Sequence, residues 1–144
     1  MAQGDGLIYN EFKKELLAGN IDLDGHTIVA ILVAAYTPDI DADTGYASVS
    51  AKECSGTNYT AATKALGTKA VSKDTTNDLG KFTAANVTWT ALLLTSPSAT
   101  PSHIILYDDS HASDCLIACW ELTTATNGGD YTIQWNASGI ITLT

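Results

Sequence analysis

Three carboxylates at alternate positions, Asp39, Asp41 and Asp43, followed by Thr44 and Gly45, form the segment of this sequence most like a metal loop. Hard oxygen ligands clustered in this way suit Ca²⁺. The glycine comes one residue late, however, and Ser50 stands where a bidentate glutamate belongs. The loop therefore reads as a solvated acidic turn, with a cation at Asp39/Asp41/Asp43 as the open alternative. The three histidines, His26, His103 and His111, lie in separate segments with no His-x-x-x-His or His-Glu pairing. Zinc needs three or four converging nitrogen or sulfur ligands; His103, His111, Cys115 and Cys119 are near in sequence but at no standard spacing. Nucleophilic chemistry fares no better. No Gly-x-Ser-x-Gly elbow is present, and no cysteine adjoins a basic partner. Asp108-Asp109 could do acid–base work, yet among sixteen acidic residues a surface loop is the default. Gly128-Gly129 follows a turn-like cluster and opens no helix, so it cradles no phosphate. No catalytic, cofactor-binding or metal-binding residue is assigned on these grounds.

The elements that would carry these side chains are mostly strands. Residues 10–18 hold the best helix signal: Tyr9, Phe12, Leu16 and Leu17 fall at helical spacing, Asn10 can cap and Gly19 can stop the helix. Residues 27–36 form a continuous apolar, β-branched run, the pattern of a central strand buried on both faces. After the polar loop 37–45, residues 46–53 alternate weakly. A turn at 56–60 leads into a Thr/Ala/Lys-rich strand pair over 59–73, and a turn at 73–80 into a short strand over 81–84. Residues 86–94 read as one strong strand with Val87, Trp89 and Ala91 on one face, and two prolines break the chain over 96–101. Two apolar runs, 103–107 and 115–122, flank the loop 108–114. Finally Tyr131, Ile133 and Trp135 alternate with polar residues, and the turn 136–139 leads into Ile140 to Leu143. About eight strands with one short N-terminal helix predict an all-β, mainly antiparallel, jelly-roll-like β-sandwich over 9–144, preceded by a flexible arm over 1–8.

Composition narrows the class further. A chain of 144 residues with 45% apolar content can bury a core without disulfides. A net charge of −9 makes a nucleic-acid partner unfavourable, because association would begin with repulsion. No segment approaches a membrane span, and the first residues carry no signal-like apolar core, so the expectation is a cytosolic origin without membrane association. Cys54, Cys115 and Cys119 are odd in number and read as buried free thiols. In an unbroken strand Cys115 and Cys119 would share a face, roughly 13 Å apart, too far to bridge. Trp89, Trp120 and Trp135 read as core, whereas Tyr46, Tyr59 and Tyr107 near strand ends suit a rim or interface.

Several motifs together resemble a small family of tailed-phage and prophage virion proteins. They are the opening Tyr9-Asn-Glu-Phe-Lys-Lys-Glu-Leu-Leu-Ala-Gly-Asn-Ile-Asp-Leu23 with His26-Thr-Ile-Val-Ala-Ile-Leu32, then Gly56-Thr-Asn-Tyr-Thr60, Asp74-Thr-Thr-Asn77, Asn86-Val-Thr-Trp89, and the ending Gly129-Asp-Tyr-Thr-Ile-Gln-Trp-Asn136 with Gly139-Ile-Ile141. The chain departs from that pattern at 96–101 and 108–115. The resemblance implies a non-enzymatic capsid decoration (cement) protein on the virion surface, assembled in the host cytoplasm. Its implied partners are the major capsid protein and other copies of itself. It does not imply catalytic residues, and no cofactor, nucleic-acid partner or membrane is expected. An exposed edge strand or the N-terminal segment could then add to a neighbouring sheet. The alternatives are a tail- or fibre-associated module that binds a host-surface glycan through Tyr36, Tyr46 and Tyr107, and a small hydrolase using Asp108, His111 or Cys115.

Overall fold

The structure, a computed structural model, describes residues 6–144. Strands take 37% of the chain and helices 11%, and every strand pairing is antiparallel. The fold is all-β. Its centre is Ile28–Val33 (β2), whose six side chains are all buried. β2 pairs with His103–Asp108 (β9), which pairs in turn with Cys115–Glu121 (β10). Leu7–Ile8 (β1) and Lys64–Ala65 (β4) close the two edges, giving the order β1-β10-β9-β2-β4. The last two residues of the expected arm are thus a strand, and its residues 1–5 lie outside the described residues.

Each face of this sheet has its own apolar cluster, which is why the 27–36 run shows no polar alternation. On one side Ile28, Ala30 and Leu32 join Ile104, Leu106 and Trp120. They meet three smaller sheets: Val87–Trp89 (β7) with Tyr131–Ile133 (β11), Ser55–Thr57 (β3) with Leu93–Ser96 (β8), and Ala70–Asp74 (β5), Leu79–Thr83 (β6) and Ile141–Leu143 (β12) in the order β12-β6-β5. On the other side Val29, Ile31 and Val33 join Ile105, Tyr107, Tyr9 and Val49, with Tyr36, Ile40 and Tyr46 packed against them.

The helix α1 spans Asn10–Leu17 and buries Phe12 and Glu15. Asn10 does not cap it. Tyr9 holds the capping position, while the Asn10 side chain reaches Asp41 and accepts from Lys13 Nζ at 2.8 Å. Gly19, at φ +77°, ends the helix as expected.

Four sequence expectations change. Residues 46–53 are not a strand: Tyr46–Val49 is a short second helix (α2) and Ser50–Lys52 a 3-10 turn, with Val49 buried and Tyr46 half-buried against the second cluster. The run 86–94 is two strands, because Ala91 adopts φ 49° between β7 and β8. Within 59–73 the strands are β4 and β5, which pair with β2 and β6 and not with each other. Finally, β10 carries a bulge between Leu116 and Ala118. The extra residue inverts the alternation, so Cys115 faces the first cluster and Cys119 the second. Trp135 lies just beyond β11 and remains buried.

Candidate functional site

The acidic loop spends its carboxylates on itself. Asp39 Oδ1 accepts from the backbone N–H of Asp41 and Ala42, at 3.1 and 3.0 Å. Asp43 Oδ2 accepts from the Tyr36 hydroxyl at 2.6 Å and the Asp39 N–H at 3.1 Å, and Asp41 takes Asn10. Among the described residues no group of three or more His, Cys, Asp or Glu side chains is placed to hold a metal ion.

Of the residues named for zinc or hydrolysis, Asp108 and Cys115 stand opposite each other across β9 and β10 and the His111 backbone N–H donates to the Asp108 carbonyl, but the three side chains bond elsewhere. The Asp108 carboxylate, fully buried, accepts from Ser110 N–H at 3.0 Å and bonds His26 Nδ1 at 2.7 Å. His111 instead bonds Glu15 across 3.3 Å, and His103 bonds Ser102 and meets Tyr36 edge-on. Burial, then the carboxylates of Glu11 and Glu15, push the Cys115 thiol up to about 12. Burial, then Glu53, push Cys54 to about 12, and burial raises Cys119. Thiols held protonated at neutral pH are poor nucleophiles and poor metal ligands. The His26–Asp108 pair joins residues 82 apart in sequence; spacing gave no sign of it.

The tyrosines are struts. Tyr46 stacks on the buried Tyr107, and its hydroxyl donates to Glu53 at 2.6 Å. Tyr59 also donates to Glu53, at 2.8 Å, accepts from Leu32 N–H at 2.9 Å, and stacks on Trp89. Burial first and then the Glu53 hydrogen bond push Tyr46 up to about 12. Tyr36 is tied to Tyr9 and Asp43. A glycan surface built on Tyr36, Tyr46 and Tyr107 would have to break these contacts.

What the fold presents outward is a groove of about 270 Å³ between α1, the segment 21–24 and the β12-β6-β5 sheet. Phe12, Ile21, Phe82 and Ile141 floor it, all buried. On its rim, Val71 is 53% exposed and Leu143 59%. The polar rim groups already have partners. Asp22 Oδ1 accepts from Gly25 N–H at 3.0 Å, which holds its carboxyl below the usual range, and Lys81 lies 3.8 Å from Asp74. Beside the groove runs β5, an edge strand whose first four residues are exposed. Asp24 reaches its Val71 N–H at 3.4 Å, and Lys73 lies within the strand, the kind of charge that discourages indiscriminate edge pairing.

This groove was not legible beforehand, because its walls come from positions 12, 21, 71, 82 and 141 and no single stretch carries the pattern. The chain matches no family model, no curated protein and no solved structure.

Proposed function

We propose that this chain is a non-enzymatic structural protein of a tailed-phage virion, a capsid decoration protein that bridges neighbouring major capsid subunits on the outer head surface. The observation that carries the reading is the apolar groove opening beside the exposed β5 edge. An open edge offers backbone hydrogen bonds to an incoming strand, and an adjacent apolar trough receives its alternate side chains. Both belong to a body whose central sheet is buried on both faces, so the docking elements hang on a stiff support. On a capsid lattice several such contacts act at high effective concentration, so each needs only modest affinity. Further copies of the chain are partners of the same kind, related by the lattice symmetry. With a net charge of −9 the outer surface is soluble and repels nucleic acid. The family resemblance supplies the virion setting.

The test is to add purified protein to expanded heads that lack it and to measure co-sedimentation and head survival on heating. Wild type should bind saturably and protect. Covering each half-exposed rim residue is worth about 1 kcal/mol, and burying a carboxylate there costs several more. A Val71→Asp, Leu143→Asp double variant should therefore fold normally and bind at least about a hundredfold more weakly. No binding by wild type, or equal binding by the variant, refutes the reading.

A further inference from the structure

We propose that the hollow beside the Trp120–Trp135 pair is a binding site for one ring of a neutral saccharide. It encloses about 300 Å³, the lower end of the range for small-molecule sites and suited to a single ring. It shares only Ile141 with the apolar groove, so the two sites lie on either side of β12. The proposal does not rest on the virion reading.

The walls are polar and apolar in about equal measure. Trp120 and Trp135 meet edge to face with ring centroids 5.3 Å apart, and Ile8 and Ile140 complete the lining beside them. Asn136 and Ser138, both exposed, supply polar groups, and no charged side chain lines the hollow among the described residues.

The hydrogen bonds define what is missing. The Trp135 indole N–H donates to the Ala85 carbonyl at 3.1 Å. Trp120 is only 4% exposed, yet its indole N–H reaches no acceptor among the described residues. Its Nε1 lies against Gly6, another lining residue, where a side chain would collide with the indole. A buried donor without an acceptor is uncommon and unfavourable, and the hollow is where an acceptor can arrive. Asn136 Oδ1 takes the Ser138 N–H at 2.9 Å, which leaves the amide NH₂ free to donate outward.

A sugar ring answers each demand. One hydroxyl oxygen accepts from Trp120, its C–H groups rest against the apolar part of the wall, and further hydroxyls pair with Asn136 and Ser138. A charged ligand would find no counter-charge in this lining.

The experiment titrates ¹⁵N-labelled full-length protein with glucose, galactose, mannose and N-acetylglucosamine, with adenosine as the control. It follows the indole N–H signals of the three tryptophans. At least one sugar should shift Trp120 saturably while Trp89 stays still. Trp120→Phe, which keeps a ring but loses the donor, should weaken binding roughly three- to tenfold. Asn136→Ala, at an exposed turn, should weaken it without disturbing the rest of the spectrum. A Trp120 signal unmoved by all four sugars overturns the proposal, as does one moved equally by adenosine. Unchanged affinity in both variants overturns it as well.

Discussion

Glu53→Ala removes one acceptor from three donors at once: the Tyr46 hydroxyl at 2.6 Å, the Tyr59 hydroxyl at 2.8 Å and the Ala62 N–H at 2.9 Å. The three losses are unequal. Tyr46 is half-buried and can turn its hydroxyl to water, so its share is small. Tyr59 cannot follow, because its oxygen also accepts from Leu32 N–H at 2.9 Å and its ring lies on Trp89. Swinging away would orphan a backbone donor of the buried β2. Hydrogen bonds to a charged acceptor contribute about 1.5–3 kcal/mol each, and a stranded buried donor costs about 1–3. With discounts for Tyr46 and for the partial exposure of Glu53, the expected loss is about 3–4 kcal/mol. That is a large share of the roughly 5–15 kcal/mol typical of a domain, and it lowers Tm by about 10 °C. Urea unfolding at neutral pH should show a lower midpoint with an unchanged slope. Tyr59→Phe combined with Glu53→Ala should lose much less than the two single changes added together. A loss under about 1 kcal/mol for Glu53→Ala, or full additivity with Tyr59→Phe, would refute the view that this carboxylate pins segment 46–62 to the sheet.

Two further outcomes follow from local geometry. The Lys14 ammonium, then the Asn20 amide and more weakly His111, hold the Glu15 carboxyl down at about 2 from an ordinary 4.5. A depressed folded pKa stabilises fully above pH 4.5 and progressively less as pH falls toward 2; the urea midpoint should drop across that window, and Glu15→Gln should flatten the drop. Ala91 sits at φ 49°, where a Cβ is strained. Ala91→Gly should raise stability by about 0.5–1 kcal/mol, and a destabilised variant in thermal melts would count against strain at this joint.

Legibility in the sequence followed how locally each feature is encoded. β2 was plain because six consecutive apolar residues admit little else once β-branching is weighed. The end of α1 was equally plain at Gly19. The break inside 86–94 was hidden because alanine rarely takes a left-handed conformation, and nothing in Trp89-Thr-Ala-Leu advertises one. Residues 46–53 misled because a helix of four residues that turns its two ends inward and exposes the two between mimics weak alternation. The β10 bulge left no mark either: Leu116, Ile117 and Ala118 are apolar on both sides of the slip, so inverting the faces changes no polarity pattern. The groove, the His26–Asp108 pair and the Trp120–Trp135 hollow all join distant segments. They required the fold itself.

The two-sided covering of β2 also decides how the molecule yields. Its amides meet solvent only when an entire covering layer lifts away, so deuterium uptake along Ile28–Val33 tracks global opening. The strands β5 and β12 lie at the margins of a three-stranded sheet and can fray without disturbing that centre. The rim of the groove can thus breathe and reshape while the interior keeps its register, an arrangement that separates adaptability from endurance within one small chain.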